Sequence, residues 1–316
     1  MQCLHKKQFS KYGGGEKYYI DCTTYAQNSD SIEIQDFIRY TKKSDIAVLT
    51  AVANDETIKK KNRHIVVKIG PTNRVTKEEF YFGKRLSETK IPGFIKYICL
   101  FSCYDDTKAG STYIEPNKIK ICSASAKTEK NRKDVLVMPL IQEGSFDNYQ
   151  WTNEDIPLLK CLMIQSVLSL GSAFETAGFI HGDSHLGNIL FKKTKSETIT
   201  YSFHGGGGDI KVPTLGYKIV IMDFENSRID CRVNDPIESK LFWRDIELFF
   251  SRINSLTTDT YYIQWKKGDI MNFIETMSDQ TMPPDNVLHL VNMISDSEFV
   301  FTRIPPKPKY NPDVDW

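Results

Sequence analysis

The chain has almost no net charge: 41 Lys and Arg against 40 Asp and Glu leave +1 at neutral pH. Bulk electrostatics therefore give no reason to expect nucleic acid or an anionic membrane as partner. No run of about 18 apolar residues occurs, so no membrane span is expected. The first fifteen residues, MQCLHKKQFSKYGGG, lack the apolar core of a secretory signal. None of the seven cysteines stands in a CxxC pair, the nearest two being Cys99 and Cys103. That spacing argues against structural zinc, and a disulfide framework is not expected in a chain of this size. Reduced thiols in a cytoplasmic compartment are the expectation. No internal repeat is visible.

What is present is ordinary for a globular protein. Of 316 residues, 40% are hydrophobic and 26% charged, enough for a sizeable core in one large domain or a two-lobed unit. Lys59, Lys60, Lys61 and Arg63 form a local basic run that reads as a solvated loop. It separates two β-branched stretches, 46–53 and 64–69, which predict an antiparallel hairpin. Residues 32–40 predict a strand or a short helix. Thr76, with Glu79 three residues on, predicts a capping box opening a helix over 76–86. Residues 94–101 and 135–141 read as strands, and 104–134 as a long polar excursion. The clearest helix is 154–177, where Ile156, Leu159, Met163, Val167, Leu170 and Phe174 recur at helical spacing. Thr152 and Asn153 are its cap candidates, and Gly178 follows its end. Residues 192–216, with four glycines at 205–208, read as an insertion or wide hairpin. A strand over 217–222, a helix over 237–254, a helix-rich remainder and a proline-rich tail complete the pattern. Strand-rich then helix-rich sequence, changing near residue 142, predicts an α+β fold.

The strongest chemical signal is FIHGDSHLGNILF over 179–191. Asp183 and Asn188 lie on a loop between the long helix and a short strand, and Asp223 ends a later apolar strand in IVIMDFE. Phosphoryl transfer needs such groups. One carboxylate orients the attacking hydroxyl and accepts its proton, while other hard oxygens hold Mg²⁺ against the phosphates.

HGDSHLGNIL resembles the H-x-D-x-x-x-x-N loop of protein kinases, and MDFE resembles their metal-binding D-F-G. The set is similar also to divergent serine/threonine kinases of large DNA viruses, which carry an IPGxIKY-like segment (here 91–97), and to choline and aminoglycoside kinases. The resemblance implies a two-lobed kinase-like fold. Residues 44–141 would be the N-terminal lobe and 142–302 the C-terminal lobe, between an extension at 1–43 and a tail at 303–316. It implies Asp183 as catalytic base, and Asn188 and Asp223 as metal ligands. Lys68 in HIVVKIG would be the lysine that meets the α- and β-phosphates. Its helix partner would be Glu79, preferred over Glu78 because Phe82 and Leu86 share its face. Leu140 would supply a backbone contact to adenine. His181 would pack the loop, and His185 is either structural or a phosphate contact. Asp245, inside the apolar stripe of its helix, would accept hydrogen bonds from amides of the loop. ATP and Mg²⁺ are the implied cofactors.

The chain also departs from that pattern. No G-x-G-x-x-G precedes Lys68, and the glycines at 13–15 stand far upstream. Glu225 replaces the glycine of D-F-G, which should stiffen the turn. Asp223 and Asp245 are close in sequence, with no A-P-E between them. Three readings are open: a protein serine/threonine kinase, a small-molecule kinase with an alcohol acceptor, and a pseudokinase that binds a partner. Localisation would be cytoplasmic, in a host cell or virion if the source is viral.

Overall fold

The computed structural model describes residues 32–41, 46–53, 63–72, 74–104, 128–203, 208–253, 256, 261–265, 267–277 and 284–303. The glycines at 13–15, most of the basic run and the proline-rich tail lie outside these residues. Among those described the fold is α+β, with eleven strands and five α-helices.

A five-stranded antiparallel sheet comes first. Its strands are β1 (Ile32–Thr41), β2 (Ile46–Ala53), β3 (Arg63–Pro71), β4 (Cys99–Tyr104) and β5 (Arg132–Pro139), in the order β1-β2-β3-β5-β4. The open choice at 32–40 thus resolves as strand, and part of the segment assigned to an N-terminal extension is an edge of this sheet. Both faces of β3 are buried, and alternation divides them. Ile65 and Val67 join Leu49, Phe101, Val135 and Val137 in one cluster, while Val66, Leu136 and Met138 join the main core. Lys68 is opposite Leu136 in the register, so it projects on the main-core side.

Helix α1 (Arg74–Thr89) follows β3 after two residues. It begins before the Thr-x-x-Glu signal, so Thr76 lies inside its first turn and does not cap it. The short connection from β3, not the local capping pattern, sets where the helix starts. Helix α2 (Ile156–Ala177) is entered through a capping box of Thr152 and Asp155 and closed by Gly178 at φ 57°. A side chain at Gly178 would meet the Cys231 backbone at 2.2 Å, so glycine serves both the left-handed turn and the close approach. By length and composition the segment Asn153–Ala177 is apolar enough to cross a bilayer, a test that the buried core helix of a globular protein also passes. That window is 72% buried inside the protein, which makes it a core helix.

The insertion resolves into two strand pairs. Strands β6 (Ile189–Lys193) and β9 (Tyr217–Ile221) pair antiparallel, and between them β7 (Thr198–Phe203) and β8 (Gly208–Pro213) form a second pair. The wide-hairpin reading is the one the structure takes. Helix α3 (Pro236–Ile253), helices α4 (Lys267–Met277) and α5 (Pro284–Asp296), and paired strands β10 (Tyr261–Trp265) and β11 (Phe299–Arg303) complete the described chain. Cys161 is a free buried thiol, but Cys99, Cys103 and Cys231 are disulfide-bonded. The expectation of reduced thiols therefore fails for those three.

Two contacts tie the segment between α1 and β4 to the end of β9. The Ile95 amide donates to the Ile221 carbonyl at 2.9 Å, and the Ile221 amide to Gly93 at 2.7 Å. Helix α1 closes on the same place through Gly83, where a Cβ would lie 2.4 Å from the Tyr97 ring and 3.3 Å from Phe224. In an open helix Gly→Ala would gain about 1 kcal/mol. Here the clash should reverse the sign, and Gly83→Ala is expected to cost about 1–3 kcal/mol, read as a lower urea midpoint. A raised midpoint would show that the packing is looser than described.

Candidate functional site

The site grows from Lys68, a cation placed in the apolar face of the sheet. Lys68 is 8% exposed. An ammonium in such a place must be paired. Its Nζ donates to Glu79 Oε2 at 2.7 Å and to Asp223 Oδ1 at 3.0 Å. The choice between Glu78 and Glu79 is thereby settled at Lys68. Tyr97 donates its hydroxyl to the other Glu79 oxygen at 2.7 Å. Burial alone would lower the Lys68 ammonium, but Glu79 and Asp223 hold it well above the usual lysine range. Burial pushes the Glu79 carboxyl up, against the pull of Lys68.

Asp223 reaches Lys68 because β9 ends beside the 179–188 loop. The Met222 amide donates to the Asn188 carbonyl at 3.0 Å. Asp223 then turns the chain at φ 67° and ψ 67°, a conformation that costs a non-glycine residue about 1–3 kcal/mol. The next residue holds it there. Phe224 is fully buried, with Phe94, Tyr97, Phe179 and His181 ring centroids between 5.6 and 6.2 Å away. The left-handed residue is thus Asp223, while Glu225 sits in the 3-10 turn Phe224–Asn226. Glycine freedom is not required at 225, which corrects the expectation that glutamate there stiffens the turn.

The loop itself is held from behind. The Gly182 amide donates to Asp245 Oδ2 at 2.7 Å, and the Ser184 hydroxyl bonds the Asp245 carbonyl and carboxylate. Asp245 therefore grips the loop as its position in the apolar stripe of α3 predicts. Burial raises its carboxyl, against the opposing effects of His181 and the loop amides. His181 is buried, with Nε2 2.9 Å from the Met222 carbonyl and Nδ1 accepting from the Asp183 amide at 3.2 Å. Asn188 commits its amide nitrogen to the Asp183 carbonyl at 2.9 Å, which fixes the side-chain oxygen as its acceptor end.

Asp183 is different from these supports. Its carboxylate is 37% exposed, with His185 Nε2 3.9 Å away, and His185 uses Nδ1 to accept from the Gly187 amide at 3.0 Å. Leu140 stands one residue past β5, and its amide lies 3.4 Å from the His64 carbonyl. The structure thus joins Lys68, Glu79 and Asp223 directly, and joins Asp183, Asn188 and His185 within one loop. It links the two groups through the bond from Met222 to Asn188.

Three contributors escaped the sequence reading. Tyr97 closes the IPGxIKY-like segment, but its bond to Glu79 was not foreseen, and Gly83 carries no motif and matters through packing. Glu225 lies 3.7 Å from Lys68; its departure from D-F-G was visible, but its pairing was not. A cavity of about 440 Å³ lies behind the loop, lined by Gly182, Asn226, Arg228, Arg244 and Asp245 among others. Among the described residues no group of three or more His, Cys, Asp or Glu is arranged to hold a metal. The oxygens of Asp223 and Asn188 nonetheless suit Mg²⁺, which takes one or two protein ligands and keeps the rest for phosphate and water.

No protein-family model matches the chain. Curated proteins similar over part of it include three haspin kinases. The serine/threonine-protein kinase haspin homolog of Arabidopsis thaliana is 28% identical over 137 residues, which is 43% of this chain and 20% of that protein. Serine/threonine-protein kinase haspin of Bos taurus is 32% identical over 111 residues, 34% of this chain and 14% of that protein. The Mus musculus haspin is 35% identical over 71 residues, 22% and 9% respectively. The chain thus matches a fifth or less of the length of these relatives. This weak similarity points to the protein kinase-like superfamily, with which the α+β fold is compatible.

Asp245→Ala would strip the Gly182 amide of its acceptor, while the Ser184 hydroxyl keeps the Asp245 backbone carbonyl. A loss of about 1–3 kcal/mol is expected in chemical denaturation. Unchanged stability would mean that the loop does not depend on this grip.

Proposed function

We propose that the chain is an ATP- and Mg²⁺-dependent phosphotransferase of two-lobed kinase type, acting on a serine or threonine hydroxyl of a protein. One observation carries this reading. Lys68 meets Asp223 across 155 positions of sequence, with Glu79 on the same ammonium. That arrangement is what nucleotide phosphates and a divalent ion would require of these residues. The partial similarity to haspin kinases supports the kinase class and a protein acceptor.

In this reading Asp183 is the catalytic base. Its exposed carboxylate orients an acceptor hydroxyl and takes its proton, while its amide and carbonyl are fixed by His181 and Asn188. Asp223 and the Asn188 oxygen hold Mg²⁺, which when bound neutralises the phosphate charge. Lys68 donates to the α- and β-phosphates, and Glu79 keeps it aimed. His185, beside Asp183, is placed to touch the transferred phosphoryl group or the acceptor. Leu140 offers adenine a backbone contact through its carbonyl, because its amide is turned to His64.

A second reading is a kinase for a small-molecule alcohol. The short stretch from Asp223 to the start of α3 at Pro236 favours it, because that stretch leaves little platform for a polypeptide.

The test is transfer of labelled phosphate from ATP to a protein panel and to amino-alcohols and sugars. Asp183→Ala should lower turnover by about 10²–10⁴-fold, and Asp223→Ala should abolish the Mg²⁺-dependent part of nucleotide binding. Wild-type turnover in Asp183→Ala would refute the assignment of the base. No transfer to any acceptor, with nucleotide binding intact, would leave a binding module instead.

A further inference from the structure

Lys68 has one more carboxylate within reach than its two hydrogen-bonded partners. Glu225 Oε2 lies 3.7 Å from Nζ, and its side chain is 34% exposed. No other ion-pair partner of Glu225 occurs among the described residues. Its position is set by anchors on both sides. Phe224 before it is sunk in the aromatic cluster. Ser227 after it donates to the His181 carbonyl at 2.9 Å, and Arg228 and Ile180 exchange backbone bonds. The 3-10 turn between these anchors points a flexible acid at the lysine.

The electrostatic consequence comes from the count of groups. Among the described residues one ammonium faces three carboxylates, an excess of negative charge around Lys68. A polyphosphate arriving without a divalent ion meets net repulsion, although Lys68 is nominally its anchor. An ion on Asp223 removes that excess and also takes away one of the partners of Lys68. Glu225 is the nearest group able to replace it.

We propose that Glu225 is a positioning residue. It holds Lys68 when Asp223 is drawn to a divalent ion, and its charge bars a polyphosphate from Lys68 until that ion is present. This rests on the nucleotide-binding reading of the site and adds a control on it.

The experiment is calorimetric titration with ADP, in EDTA and in Mg²⁺, of the wild-type chain, Glu225→Gln and Glu225→Asp. Glu225→Gln should bind ADP about five- to tenfold tighter than wild type in EDTA, the effect of one partly screened charge near the phosphates. Its gain in affinity on adding Mg²⁺ should shrink by the same factor. Glu225→Asp keeps the charge and should follow wild type. Equal affinity of Glu225→Gln and wild type in EDTA would overturn the proposal while leaving nucleotide binding in place. A parallel shift in both variants would overturn it too, because shape and not charge would then be responsible. Wild-type protein that binds ADP in neither condition would end the nucleotide-binding reading and this inference together.

Discussion

A buried ammonium organises this molecule. Lys68 occupies the main-core side of β3, among Val66, Leu136 and Met138, where an apolar side chain would be the simpler choice. Leaving it unpaired there would cost several kcal/mol. Its compensation comes from two distant parts of the chain, Glu79 on α1 and Asp223 beyond β9. The pairing therefore dictates tertiary structure. Helix α1 has to lie close to the segment carrying Tyr97 and to the Phe224 turn, which is why its contact position is the glycine at 83. Gly93 and Ile95 have to pair with Ile221, so that the end of β9 is delivered beneath the sheet.

A second constraint keeps the polar loop from dissolving that arrangement. Loops carry backbone groups that need partners when buried. Here Asp245, rising from an apolar helix face, supplies acceptors to Gly182 and Ser184, while His181 bridges to Met222. The loop and the β9 terminus are thereby tied to each other and to α3. The positive φ of Asp223 persists because Phe224 cannot leave its aromatic cluster without exposing a large apolar ring.

Legibility in the sequence tracked the range of the interactions. The α2 helix, with its Thr152 cap and Gly178 stop, was readable because its signals are local. Glu79 was preferred to Glu78 from helical periodicity, and Asp245 from a carboxylate in an apolar stripe. Those inferences used short-range pattern to anticipate long-range contact. The start of α1 was misjudged because a tight strand-to-helix connection overrode a local capping signal. The contacts of Tyr97, Gly83 and Glu225 were not legible. Each depends on what another part of the chain brings close, and none has a spacing rule of its own. That Cys99, Cys103 and Cys231 are disulfide-bonded was missed because cysteine spacing does not report spatial neighbours.

The distribution of burial bears on whether such a site exists for chemistry or only for architecture. Lys68, Glu79, His181, Asn188 and Asp245 are all less than 9% exposed, whereas the carboxylates of Asp183 and Asp223 are 37% and 25% exposed. The supporting groups are rigid and dry, and the two acids that would face a substrate and an ion are open. A cluster serving stability alone would gain little from this division. Replacing a buried ion pair with packed hydrophobic side chains is often neutral or stabilising, and the neighbours of Lys68 are already of that kind. The chain instead keeps a costly cation aimed at an accessible carboxylate, and stabilises a strained backbone to hold that carboxylate in place. That division supports the proposed phosphotransferase over a scaffold that has lost its chemistry.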